Sequence, residues 1–89
     1  MEPITRAEID AVLQSPSTIL AAGPWLGLAW LDGACRSLRI AWEIECDTDG
    51  LYQIFLGDYG LPSDVKLKTM NQVVFTGLRL LRHQLGEAA

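Results

Sequence analysis

The strongest pattern along the chain is a period of two. Leu38, Ile40, Trp42, Ile44 and Cys46 alternate with Arg39, Ala41, Glu43 and Glu45, which predicts a strand with one buried and one solvated face. Asp47-Thr48-Asp49-Gly50 predicts a turn, and residues 51–57 a strand returning from it. With a three-residue loop, Thr48-Asp49-Gly50, glycine takes the left-handed position. Cys46 then faces Tyr52, Ile44 faces Ile54 and Trp42 faces Leu56, whereas a slip of one residue would set Gln53 against Ile44. Upstream, the apolar residues 25–31, followed by the tight-turn pair Asp32-Gly33, predict a further strand at the edge of the same meander.

Helical signals bracket the strands. Thr5 and Glu8 form a capping box, Ile4 and Ile9 a hydrophobic staple, and the stripe Ile9, Val12 and Leu13 ends at Pro16. Residues 17–23 read as a single helical turn, closed by Gly23-Pro24. After Gly60-Leu61-Pro62, Ser63 or Asp64 is placed to cap a long helix reaching about residue 85. Its core stripe is Leu67, Met70, Val74, Leu78, Leu81 and Leu85, and Gly77 on the same side permits close packing. Val73, Phe75 and Leu80 are left on the flanks. The expected architecture is α+β in one small domain, residues 1–89. Its order is α-β-β-β-α, a three-stranded antiparallel meander with two helices packed on one face.

Composition narrows the class. In a chain of 89 residues, 49% hydrophobic and 20% charged residues exclude intrinsic disorder, but a chain this short buries under ~65% of its extended surface, so the core is thin. On this reading Cys35 and Cys46 sit on one strand and opposite faces, where they cannot bridge, and free thiols fit the reducing cytoplasm. Residues 11–31 carry no charge, yet their apolar part is interrupted by Gly23, Pro24 and Gly27 and falls short of the ~20 residues that span a bilayer. Glu2, Arg6, Glu8 and Asp10 are not the basic leader of a signal peptide. Neither a membrane span nor a secretion leader is expected.

Candidate chemistry is sparse. Glu45-x-Asp47-x-Asp49-Gly50 resembles the opening of a calcium loop, but the twelfth position is Leu56 and strands flank it, so these acids read as turn formers. His83, the single histidine, has no ligand spacing to Cys35 or Cys46 and reads as an exposed helix-end residue suited to the dipole. Gly57-Asp58-Tyr59-Gly60 lacks the lysine and following helix of a phosphate loop. No catalytic residue, cofactor or metal is expected, and the chain does not read as an enzyme.

The element order resembles that of the double-stranded RNA-binding domain, a likeness of topology covering most of the chain. The second helix of that family opens with a serine and a lysine cluster that grips phosphates. Here Ser63 is followed by Asp64 and Val65, with only Lys66 and Lys68 nearby. Direct nucleic-acid binding is therefore the alternative, not the expectation.

Charge points elsewhere. The net charge is −4, and Glu43, Glu45, Asp47 and Asp49 recur at every second position. Alternate side chains of a strand sit ~6.6–6.8 Å apart, close to the spacing of successive phosphates. With Phe55 on the same face, this ribbon suits a basic groove on another protein; a solvated face that discourages aggregation would use the same residues. The first strand carries Trp25, Leu28 and Trp30 at an edge, apolar on both faces, and needs cover from residues 16–23 or from another chain. The reading is a cytoplasmic, non-enzymatic protein-binding module. It is expected to form a homodimer through Trp25, Leu28 and Trp30. Its partner, with nucleic-acid-handling machinery as the candidate class, meets Glu43, Glu45, Asp47, Asp49 and Phe55. In size and charge the chain resembles the small acidic inhibitors that phages and mobile elements direct at such machinery, anti-CRISPR proteins included. That resemblance implies inhibition by occupying a basic surface.

Overall fold

Thr5 starts the first helix as its sequence requires, its hydroxyl accepting the Glu8 amide at 3.2 Å. The structure, a computed structural model, describes residues 4–62 and 65–88, the side chains of residues 87 and 88 excepted. Helix α1 (Arg6–Gln14) buries Ile9 and Leu13 and ends at Ser15, and Pro16 leads directly into the short helix α2 (Ser17–Ala21).

The segment read as a first strand is a helix. Gly23 is the N-cap and Pro24 the first residue of α3 (Pro24–Leu38), fifteen residues long; proline suits that position because its missing N–H would have no partner there. Gly27, Leu31, Ala34 and Cys35 are the buried residues of α3, spaced i, i+4, i+7 and i+8 as one helical face requires. The apolar character on "both faces" of residues 25–31 is that of a helix whose inner side packs and whose outer side does not. Asp32-Gly33, expected as a turn, lies within the helix, where Asp32 pairs with Arg36 one turn on at 2.9 Å. Cys35 therefore lies on α3 and Cys46 on a strand, both as free thiols. The end of α3 is well formed. Arg39 adopts the left-handed conformation, with the Arg39 amide donating to Arg36 and the Ile40 amide to Cys35 at 2.8 Å, the paired closure of a Schellman motif.

The hairpin has the expected register. Strand β1 (Trp42–Cys46) pairs antiparallel with β2 (Tyr52–Leu56), setting Trp42 opposite Leu56, Ile44 opposite Ile54 and Cys46 opposite Tyr52. Gly50 has φ +78°, the left-handed value the loop needs. The third strand is not the expected one. It is β3 (Tyr59–Gly60), turned back against Phe55 and Leu56 across Gly57-Asp58. Farther along the same edge of β2, Leu67 exchanges two 2.8 Å backbone hydrogen bonds with Tyr52. The meander thus has order β1-β2-β3, and β1 is its outer edge.

Helix α4 (Met70–Ala88) begins later than expected. Ser63 and Asp64 lie outside the described residues, and Leu67 pairs with a strand instead of joining the helix. The actual start is a reciprocal cap: the Thr69 hydroxyl accepts the Gln72 amide at 3.2 Å while Gln72 Oε1 accepts the Lys68 and Thr69 amides. From there Val73, Val74, Leu78, Leu81 and Leu85 are buried; Val73 belongs to the core and not to the flank.

α4 is the common wall of the fold. It packs on β2, on α3 and, less extensively, on α1, α2 and β3, leaving the helices on one face of the sheet. Two glycines permit the approach. A Cβ on Gly77 would lie 2.6 Å from Leu31 Cδ2 and 2.9 Å from Ile54 Cδ1, and one on Gly27 would lie 2.7 Å from Val74 Cγ1. Gly77→Val should therefore destabilise the protein by about 1–3 kcal/mol through overpacking. Gly86→Ala on the same helix, where an added Cβ meets nothing within 4 Å, should stabilise it by about 0.5–1 kcal/mol. Urea denaturation of the two variants checks both signs.

Candidate functional site

The alternation that buries Trp42, Ile44, Ile54 and Leu56 sends their neighbours to the other side of the sheet. That outer face carries Glu43 and Glu45 on β1, with Phe55 and Gln53 directly opposite them on β2. No described element lies across it. Glu43 and Glu45 are exposed and form no ion pair among the described residues. Phe55 is half-buried because its ring lies over Gly60: a Cβ on that glycine would come within 2.6 Å of Phe55 Cδ1. The result is a fixed aromatic surface beside two free carboxylates.

The four-residue acidic ribbon does not survive intact. Asp47 is built into the turn, where Oδ1 accepts the amides of Asp49 at 2.9 Å and Leu51 at 3.0 Å and Oδ2 meets Lys66 Nζ at 3.3 Å. The Leu51 amide, followed by Lys66, holds its carboxyl below the usual aspartate value. Asp49 sits in the turn, beyond the strand. Only Glu43 and Glu45 keep the strand spacing, and Phe55 joins them as expected. The turn role of Asp47 is legible from its place in Asp47-Thr48-Asp49-Gly50, but the pairing with Lys66 is not, because Lys66 reaches it from a segment that follows β3.

The residues expected to mediate self-association separate. Leu28 and Trp30 are half-buried and pack against the core. Trp25 is 73% exposed, joined by Leu26 at 63%, a residue of the same apolar segment that is not among the three expected dimer residues. Read with a helical period, Trp25 and Leu26 fall opposite Gly27 and Leu31.

Several other reactive groups are committed, although the Cys46 thiol is free and exposed. Cys35 is buried, and burial, with Asp32 nearby, pushes its thiol up to about 11. Asp32 accepts from Arg36 and, at 3.0 Å, from the Trp42 indole N–H, contacts that lower its pKa. His83 does not end its helix, which continues to Ala88; its ring meets Tyr59 edge-on at 4.7 Å between centroids and ties β3 to α4. Arg79 lies 5.8 Å over the Phe75 ring. A surface cleft of about 410 Å³ runs between Tyr59, Leu61, Thr76, Leu80 and His83. Among the described residues no group of three His, Cys, Asp or Glu side chains could hold a metal ion, and no helix is long and apolar enough to cross a membrane. Comparison with family models, curated proteins and solved structures finds no match for this chain.

Asp47 gives a pH prediction. A carboxyl with a depressed folded-state pKa contributes stability above its unfolded value and loses it as pH falls through the folded value. The melting temperature should therefore drop as pH is lowered below 3.8, the ordinary aspartate value. Asp47→Asn, which keeps an acceptor for the two amides but carries no charge, should show a shallower drop in calorimetry over that range.

Proposed function

We propose that this chain is a non-enzymatic protein-binding module whose open sheet face takes a basic surface of its partner. The observation that carries the reading is the face itself: Glu43 and Glu45, without ion-pair partners among the described residues, beside Phe55 on a sheet that no described element covers. Arginine is the natural complement. Its guanidinium can pair with a carboxylate while its plane rests on an aromatic ring. A basic groove that ordinarily holds nucleic acid offers such arginines in a row, so a nucleic-acid-handling protein is the partner class that fits, and occupation of its groove is the mode of action. The double-stranded RNA reading draws less support, because Lys66 is spent on Asp47 and the sheet face is acidic.

Reversing the charge in the double variant Glu43→Lys/Glu45→Lys should weaken the complex with a partner captured from the native host by about tenfold or more and flatten its salt dependence. Phe55→Ala should weaken it with the salt slope unchanged. Wild-type affinity in both variants, measured by calorimetry, would return the face to a plain solvated surface. Retention of the wild-type protein on duplex RNA at low salt, lost at high salt, would favour the RNA reading.

A further inference from the structure

The longest uncharged run in the chain, residues 11–31, holds no Asp, Glu, Lys, Arg or His. It folds into the end of α1, all of α2 and the first half of α3, with α2 packed along α3. On the outer side of this layer Trp25 and Leu26 stand 73% and 63% exposed, the most exposed large hydrophobic side chains among the described residues. They are flanked by the exposed small residues Ala21, Ala22 and Ala29. α3 spends its other side on α4 through Gly27 and Leu31. We infer that this face is a homodimer contact, in which two copies pack the outer sides of α3 against one another across a two-fold axis.

Three features select a second copy as the occupant. The first is charge. A two-fold contact sets each residue near the axis against its own mate, so any charge there meets the same sign. Two molecules of net charge −4 meet with least repulsion where neither carries charge, and this layer is such a place. The nearest charges along α3, Asp32 and Arg36, already neutralise each other at 2.9 Å. The second is shape. A bulky pair beside alanines is complementary to itself, because Trp25 and Leu26 of one copy can fill the shallow ground over the alanines of the other. The third is the lack of a lipid anchor. No Lys or Arg lies between Arg6 and Arg36, so the basic rim that draws amphipathic helices to anionic headgroups is missing. A stable contact of about 800 Å² per copy would take roughly one-seventh of the 5795 Å² surface, and α2 beside α3 widens the patch toward that size.

Sedimentation equilibrium tests the inference. The wild-type protein should show twice the 9.8 kDa chain mass at micromolar concentration. Association should tighten as salt rises from about 0.05 to 0.5 M, because the interface is uncharged and salt screens the repulsion between acidic copies. Trp25→Glu and Leu26→Lys, both at exposed positions, should return the mass to 9.8 kDa with an unchanged circular dichroism spectrum. Glu43→Lys/Glu45→Lys on the sheet face should leave the dimer intact, so that loss of sheet-face binding and loss of dimerisation are read separately. A monomer at about 200 μM in both salts, or a dimer that survives both α3 substitutions, overturns the inference. So does a wild-type monomer that co-sediments with neutral phosphatidylcholine vesicles, which would make lipid the occupant.

Discussion

Everything in this fold rests on how closely α3 and β2 approach α4. At Gly77 the helix presents bare backbone, and Leu31 from one neighbour and Ile54 from the other settle onto it together. That point brings residues from both halves of the chain together, and Gly27 against Val74 repeats the close approach along the same pair of helices. Beyond it, the helical layer and the sheet are linked by the hydrogen bond from the Trp42 indole to Asp32. Interiors are packed to crystal-like density, so a contact made by the absence of a side chain is as specific as one made by its presence. Ile9, Leu13, Leu81 and Leu85 extend the same seam toward α1. The outer sheet face and the outer side of α3 are free for binding because their elements have already found burial against α4.

Much of this was legible in advance where a local rule had no competitor. The Thr5 cap, the hairpin with Gly50 at its left-handed position, and the stripe Val74, Leu78, Leu81 and Leu85 each follow from short-range chemistry, and each is found. Glu43, Glu45 and Phe55 were readable as one face for the same reason: a period of two leaves no choice of side once the register is set. α3 was misread because its helical period is partly written in small residues. Gly27 and Ala34 are core positions that carry little hydrophobic weight, so Trp25, Leu28 and Trp30 stand out and the segment reads as a strand apolar on both faces. Gly23-Pro24 reads as simple punctuation in the sequence and is a helix start in the structure.

The remaining misreadings come from contacts distant in sequence. Ser63 or Asp64 reads as the cap of the last helix, yet Leu67 pairs with Tyr52, and the helix is capped by the Thr69 and Gln72 pair instead. Asp47 belonged to the acidic repeat by spacing and was withdrawn from it by Lys66. His83 looked terminal until the helix ran on past it. In the first two cases a tertiary partner, Tyr52 for Leu67 and Lys66 for Asp47, decides what the local sequence leaves open.

The position of α4 in the chain bears on how the protein is made. It is the last of the seven elements among the described residues, yet the other helices and the sheet lean on it. Ribosomes deliver chain from the amino end at about 5–20 residues per second, so α1, α2 and α3 emerge before the helix on which Ile9 and Leu31 pack. A lone hairpin such as β1-β2 is marginal in water and offers them no refuge. The nascent chain therefore stays open for several seconds, its apolar helices available to chaperones and to each other, and closes only when α4 has left the exit tunnel.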